Sequence, residues 1–437
     1  MSESLTQPGF TQEAFDAFLA SRREPDWVGQ LRTDAWKLFG ELPMPDRSLE
    51  EWMRTDIRGL KLQRFGFPTV PAGDAETPSP LLSQGVELAG STVSLNSYLR
   101  QAELDEQVAR RGVLFGSLEQ FVNSHGDLLK PWLFGRAFDW HRDKFAALHA
   151  ACWSGGTLLY VPPGVKVERP LHILSALSPG AADIGHTLIV LGEGAEATVL
   201  AETAGGDGDT ASLHCGAVEL IVGPGAKLSY VNLQNWGNNV WHFSHQKAVL
   251  QRDATLQWTA GALGARLAKV NQHVDLLGEN AKAEVNGVMF TEGKQHLSYN
   301  TRQHHLAPGC SSDLLYKGAL QDRSRLVWRG MIRVENQAQR TDAYQRDDNL
   351  LLSDDARVDS IPGLEIDADD VKCSHGATAG RVDDEQVFYA QVRGLTRKEA
   401  VRMIVAGFFQ QVFDRIPIRS VSLALGEAIG RRIRQYE

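Results

Sequence analysis

The spacing of apolar residues changes rhythm twice along this 437-residue chain. In "TQEAFDAFLASR", Phe15, Phe18 and Leu19 recur at the three-to-four spacing of one helix face. "DRSLEEWMR" carries Ser48 and Glu51 in capping-box spacing, which predicts a helix start. A Pro-, Gly- and Ser-rich loop follows near residues 67–85. Helical character resumes at "SLNSYLRQAELDEQVARR" and runs on through "SLEQFVNSHGDLLKPWLFGRAFDWHRDKFAALHAAC". The pattern predicts a mainly helical N-terminal domain over residues 1–150.

Near residue 153 the rhythm becomes short alternating apolar runs cut by Gly, Asp and Asn turns, the signature of strands. These runs echo one another: "PPGVKVERP", "GEGAEATVL", "GPGAKLSYV", "QRDATLQWT", "GENAKAEVN" and "SDDARVDSI" each show a turn, a small or β-branched residue, then alternation. The markers Val165, Ala195, Ala226, Ala254 and Ala281 fall 30, 31, 28 and 27 residues apart. The next clear one, Ala356, follows after 75, with weaker echoes at Cys310 and Ser324. A fixed period of this length means stacked repeats, and repeated strands without intervening helices predict a parallel β-helix, or β-solenoid, over residues 151–385. A large β-sandwich is the alternative fold, but a sandwich needs no fixed period.

The last stretch, residues 386–437, predicts a C-terminal helical domain. "LTRKEAVRMIVAGFFQQVFDRIP" places Thr396 and Glu399 in capping-box spacing, and Pro417 ends the segment. Its apolar set, Val401, Ile404, Val405, Phe408, Phe409, Val412, Phe413 and Ile416, is wider than a narrow stripe. So oily a helix must be covered, either by the solenoid's own flank or by a partner's groove, and the two can share its faces. A second helix, "RSVSLALGEAIGRRIRQYE", closes the chain.

Composition narrows the function classes. The net charge of −9 argues against binding nucleic acid or an anionic membrane surface. No run approaches the roughly 18 apolar residues of a membrane span. Cys152, Cys215, Cys310 and Cys373 are scattered singly, without a CxxC, as expected in a reducing compartment. The N-terminus lacks the basic and apolar regions of a secretory signal, so the expected location is cytoplasmic.

The chemistry concentrates in "DDVKCSHGATAG". Its alternation places Cys373 and His375 on or beside a strand, where residues two apart share a face. A thiolate and an imidazole so placed are candidate ligands for a metal or an iron–sulfur fragment. A closed structural zinc site needs four ligands and the common clusters usually use four, so two are half a set. The isolated C-x-H spacing equally suits a small buried thiol beside a hydrogen-bonding histidine. His242 and His245 are three apart, so a strand would turn them to opposite faces; His304 and His305 near Cys310 are a similarly weak group. No P-loop, G-x-S-x-G elbow or H-E-x-x-H motif is present.

The block from "QRTDAYQRDD" to "TRKEAV", with "DDVKCSHGAT-x-G" and "DDEQVFY" inside it, closely resembles the SufD subunits of the SUF iron–sulfur cluster assembly machinery, in the SufB/SufD family. The helix–solenoid–helix layout is similar over nearly the whole chain, the N-terminal third only in outline. The resemblance implies a non-catalytic cytoplasmic scaffold that pairs with SufB through the end of its β-helix, a homodimer being the alternative when the chain is alone. It implies that Cys373 and His375 meet a transient nascent cluster at that interface, with no cofactor held tightly by the lone chain. It also implies that the SufC ATPase docks on the C-terminal helices, around Thr396, Val401, Ile404, Val405, Phe408, Phe409 and Val412. SufB typically lacks the Cys-Ser-His run and tends to be longer, which favours SufD. The competing function is a β-helix enzyme acting on carbohydrate or acyl substrates, which would require a catalytic group along one groove.

Overall fold

A computed structural model describes residues 9–71, 73 and 75–433. Two long sheets face each other, and the chain alternates between them. One sheet runs Leu171–Leu177, Glu196–Gly205, Lys227–Trp236, Thr255–Ala262, Lys282–Thr291, Ser311–Leu320, Thr341–Leu351 and Val371–Arg381, each strand parallel to the next. The other stacks Gly155–Val161, Gly185–Leu191, Ser212–Val222, Val240–Leu250, Leu267–Leu276, His296–His305, Arg325–Val334 and Arg357–Ile366 in the same way. This is a parallel β-solenoid, as the period predicts.

The repeat markers occupy one corner of the coil. Each follows a residue in the left-handed backbone region: Gly164, Gly194, Gly225, Asp253, Asn280 and Gly309 precede Val165, Ala195, Ala226, Ala254, Ala281 and Cys310. Each marker's carbonyl accepts the N–H one residue beyond the next marker, as in Lys227 N to Ala195 O at 2.8 Å and Ser311 N to Ala281 O at 3.0 Å. The side chain must be small because the corner is fully buried; Ala195, Ala226, Ala254 and Ala281 are all 0% exposed. The 75-residue gap is resolved by this geometry. The corner column continues through Cys310 to Thr341, preceded by the left-handed Arg340. Ala356 belongs to a different corner with Ser324, whose carbonyl accepts from Arg357 N at 3.0 Å. An Arg in the left-handed position hid the last repeat.

The N-terminal region differs from the helical expectation in two places. The segment expected to resume a helix at "SLNSYLRQ" is an antiparallel hairpin, Gly90–Leu95 with Tyr98–Leu104, and only Glu106–Arg110 is helical. Asn96 and Ser97 both have positive φ (52° and 74°), the type I′ turn that matches strand twist. Gly90–Leu95 also pairs in parallel with Leu171–Leu177, so the hairpin caps the first sheet. The predicted capping box at Ser48 is instead a turn: Ser48 N–H and Oγ bond Asp46 Oδ1, and only Glu50–Trp52 forms a short 3₁₀ turn. The helix at Gln12–Ala20 is present, N-capped by Thr11.

The helical cover packs on the outer face of the second sheet. Phe145 stacks on Phe243 with ring centroids 3.7 Å apart, and Trp52 closes over both. At the other end of the chain, Asp384–Val392, Arg397–Phe413 and Arg419–Arg432 are helices, the second with its capping box formed by Thr396 and Glu399. Residues 434–437 of the closing segment lie outside the described residues. Among the described residues, no helix is long and apolar enough to cross a membrane.

Candidate functional site at the open end of the solenoid

The strand Val371–Arg381 is the last of its sheet and Arg357–Ile366 the last of the other. No strand pairs on the outer edge of either among the described residues. Their side chains are half-buried or exposed throughout, in contrast to the buried strands behind them. A parallel coil buries its inner face only by stacking on the next coil, and here stacking stops.

Cys373 and His375 lie on this terminal strand. Cys373 pairs in register with Ala343 and His375 with Gln345, both buried and inward-facing. Cys373 packs beside Ile332, Val334, Ala338, Ala343 and Ala368, so its thiol points into the mouth of the last coil. His375 shares that face and is exposed. Partial burial pushes the Cys373 thiol above its ordinary range, and Asp342 pushes it the same way, against an opposing backbone hydrogen bond at Ala343. The thiol is therefore protonated at neutral pH and must lose its proton to bind a metal. Among the described residues, no group of three or more His, Cys, Asp or Glu side chains converges to hold a metal ion.

Just inside the mouth is a carboxyl that sequence reasoning missed. Asp347 is 1% exposed and accepts from Asn349 Nδ2 at 2.6 Å and from the Ser360 hydroxyl. Burial raises it to about 7, against those two hydrogen bonds and with help from Asp348. Gln345 Oε1 and Asn349 Oδ1 beside it are buried without hydrogen-bond partners. The mouth is thus polar and incompletely satisfied. The signal lay in the alternation Gln345, Asp347, Asn349, which sets three polar residues on the inner face.

The other histidine groups are not assembled into a site. His242 faces inward and bonds the Trp236 indole at 3.1 Å and His214 at 2.7 Å, while His245 faces outward 3.3 Å from Asp143. His304 faces Glu335 at 2.7 Å, and His305 turns inward to Ser312 Oγ at 2.8 Å. Cys152, Cys215 and Cys310 are buried.

The C-terminal helices divide the residues expected to meet a partner. Val401, Val405, Phe409 and Val412 are buried against Val288, Phe290, Leu315 and Ala319 on the outer face of the first sheet. Thr396 is exposed at the N-cap, and Ile404 and Phe408 are half-buried. Helix packing on the solenoid's own flank therefore takes most of the apolar set. Open apolar surface lies instead at Phe388, Tyr389 and Val392, 68%, 59% and 68% exposed, and at Met403, 54% exposed.

Residues 173–408 match the family described as SUF system FeS cluster assembly, SufBD core domain, and residues 16–173 match the SufBD protein N-terminal region. An iron–sulfur cluster assembly SufBD family protein of Staphylococcus haemolyticus is 28% identical over 423 residues, covering 94% of this chain and 91% of that protein. Proteins of the same description from Staphylococcus epidermidis and Staphylococcus aureus are each 26% identical over 429 residues, with the same coverage. The open solenoid and these likenesses agree: the chain belongs to the SufBD family of the SUF iron–sulfur cluster assembly system.

Proposed function

We propose that this chain is a SufD-type scaffold subunit that assembles iron–sulfur clusters with a SufB-type partner and does not itself catalyse a reaction. The observation that carries the reading is the placement of Cys373 and His375 on a terminal strand whose outer edge is unpaired among the described residues, with the Cys373 thiol turned into the open mouth. A second solenoid end docked there would extend both sheets by strand addition and supply the missing ligands. The nascent cluster is cargo, bound while the seam is made and passed on afterwards. The Cys-Ser-His run favours the SufD over the SufB assignment.

Coupling to a SufC-type ATPase falls to the C-terminal helices. Phe388, Tyr389, Val392 and Met403, with the rim of Ile404 and Phe408, form the docking face in this reading, and the buried Val401, Val405, Phe409 and Val412 transmit force to the sheet. Coexpression with SufB and SufC, copurification and anaerobic reconstitution test the proposal. Wild type is expected to yield the complex and its cluster absorbance, and Cys373→Ala the complex without the absorbance. Full cluster yield in both Cys373→Ala and His375→Ala would overturn the ligand role.

A further inference from the structure

The outer face of the second sheet carries a row of basic side chains unrelated to the cluster mouth. Lys247, His273 and Arg302 stand in register on three adjacent parallel strands. Neighbouring strands lie about 4.8 Å apart, so the three stack as a column of like-charged groups with a histidine at its centre. Arg142, from the N-terminal cover, closes over this column, and Arg329 and Arg333 extend it along the next strand. Two adjoining cavities of about 190 and 120 Å³ result, sharing Arg142, His273 and Arg302 in their walls.

The carboxylates present leave some of the donors in this column unused. Asp275 is divided between Lys247 Nζ at 2.6 Å and Arg302 at 3.6 Å, the second too long for a hydrogen bond. Glu51 takes Arg142 at 2.6 Å, Glu50 takes Arg329 at 2.7 Å and Glu335 takes Arg333 at 2.8 Å, which leaves Arg302 as the arginine of the larger cavity's wall without a hydrogen-bonded carboxylate. Arg142 Nε and Arg302 Nε are buried without acceptors. His273, only 8% exposed, lines both cavities and makes no hydrogen bond to another described side chain. Burial lowers its basicity far below the usual range, and Arg142, Arg302, Lys247 and His245 each lower it further. Arg142, Arg302 and Lys247 around one unpartnered imidazole, with the Nε donors of both arginines unused, make a preformed pocket of hydrogen-bond donors.

We propose that this cleft binds a small oxyanion of the phosphate class. Guanidinium groups pair with tetrahedral oxyanions through two parallel N–H donors, and a neutral imidazole adds one more. The cavities fall below the ~300 Å³ of pockets that take drug-sized ligands, which suits an ion or a single phosphate group. The cleft lies on the outer face of the sheet, whereas Cys373 faces the lumen, so the site is independent of the scaffold reading.

Calorimetric titration of inorganic phosphate into the full chain, in phosphate-free buffer at low ionic strength, is the test. One saturable site is expected. Arg302→Gln and Arg142→Gln are each expected to weaken it at least tenfold, while Lys227→Gln, on the other sheet, leaves it unchanged. Glycerol 3-phosphate in a parallel arm separates the sources: tighter binding than inorganic phosphate marks a phosphate monoester as the ligand, weaker binding the free ion. Absence of saturable heat in the wild type, or an Arg302→Gln protein that binds as tightly, overturns the proposal. Should Arg302→Gln fail to fold, Arg302→Lys makes the same comparison, because it keeps the charge and loses the two-pronged donor; unchanged affinity there overturns the proposal equally.

Discussion

The two ends of the solenoid are built from the same coil and finished in opposite ways. At the N-terminal end the hairpin Gly90–Leu104 continues the first sheet, Leu114–Ser117 closes the second, and the N-terminal cover supplies donors to the buried carboxylates Glu202 and Glu219. Glu219, fully buried, accepts from Phe134 N at 2.8 Å and Phe138 N at 3.0 Å and lies 3.0 Å from His186. Glu202 accepts from Leu81 N and His172 at 2.7 Å each. At the C-terminal end nothing comparable covers Val371–Arg381 among the described residues, and polar atoms of Gln345 and Asn349 stay unpaired behind it. The same chain can evidently cap a coil. Cys373 and His375 sit on the uncapped end, where the proposed partner would dock.

The largest expected difference between the ends is all-or-none. In the free chain, iodoacetamide should modify Cys373 and spare the fully buried Cys152 and Cys215, with the rate climbing with pH because the thiol sits above its ordinary range. A SufB partner should protect Cys373, and ATP added to the SufB–SufC complex should restore its labelling. Mass spectrometry of alkylated peptides reads both, and identical labelling with and without ATP would count against ATP-driven opening of the seam.

Stability should divide in the same way. Glu219→Ala leaves two buried amides without their acceptor, removes the carboxylate beside His186, and is expected to cost about 3–5 kcal/mol in urea unfolding. His375→Ala at the open end should change it by less than about 0.5 kcal/mol. Equal losses would erase the contrast between the ends. On the C-terminal helices, Phe409→Ala is expected to cost roughly 3–5 kcal/mol by opening a cavity against the sheet. Phe388→Ala should leave folding within about 0.5 kcal/mol while weakening capture of the ATPase in a pull-down.

The last contrast is a pH dependence. Asp347 is raised from 3.8 to about 7 in the folded chain, so folding takes up a proton there. Its stabilising contribution is complete below pH ~4 and is lost as the pH rises through about 7. Asp347→Asn should flatten this part of the Tm profile. Asp183, inside the capped end, is raised to about 6 by burial and has the same sign. Docking of a partner solenoid should move the Asp347 titration and leave that of Asp183 in place, as followed by carboxyl signals in NMR.

Much of this architecture was legible in one dimension. The corner of each coil demands a left-handed residue followed by a small one, and that local requirement repeats as Gly164–Val165, Gly194–Ala195 and Gly225–Ala226. Strand alternation sufficed to put Cys373 and His375 on one face, and Thr396 with Glu399 announced the long helix they cap. These features depend on neighbours in sequence. Other features depend on contacts between distant segments. "SLNSYLRQ" reads as helix until Leu171–Leu177 offers Gly90–Leu95 a sheet edge. The apolar set with Val401 and Phe409 suits the solenoid's flank or a partner's groove until Val288 and Leu315 bury those two. The basic column of Lys247, His273 and Arg302 is spread over 55 residues and becomes a cleft only when the coils stack in register. Periodicity along the chain encodes which way each side chain faces; only the stacking of coils decides what it faces, and where the stack ends.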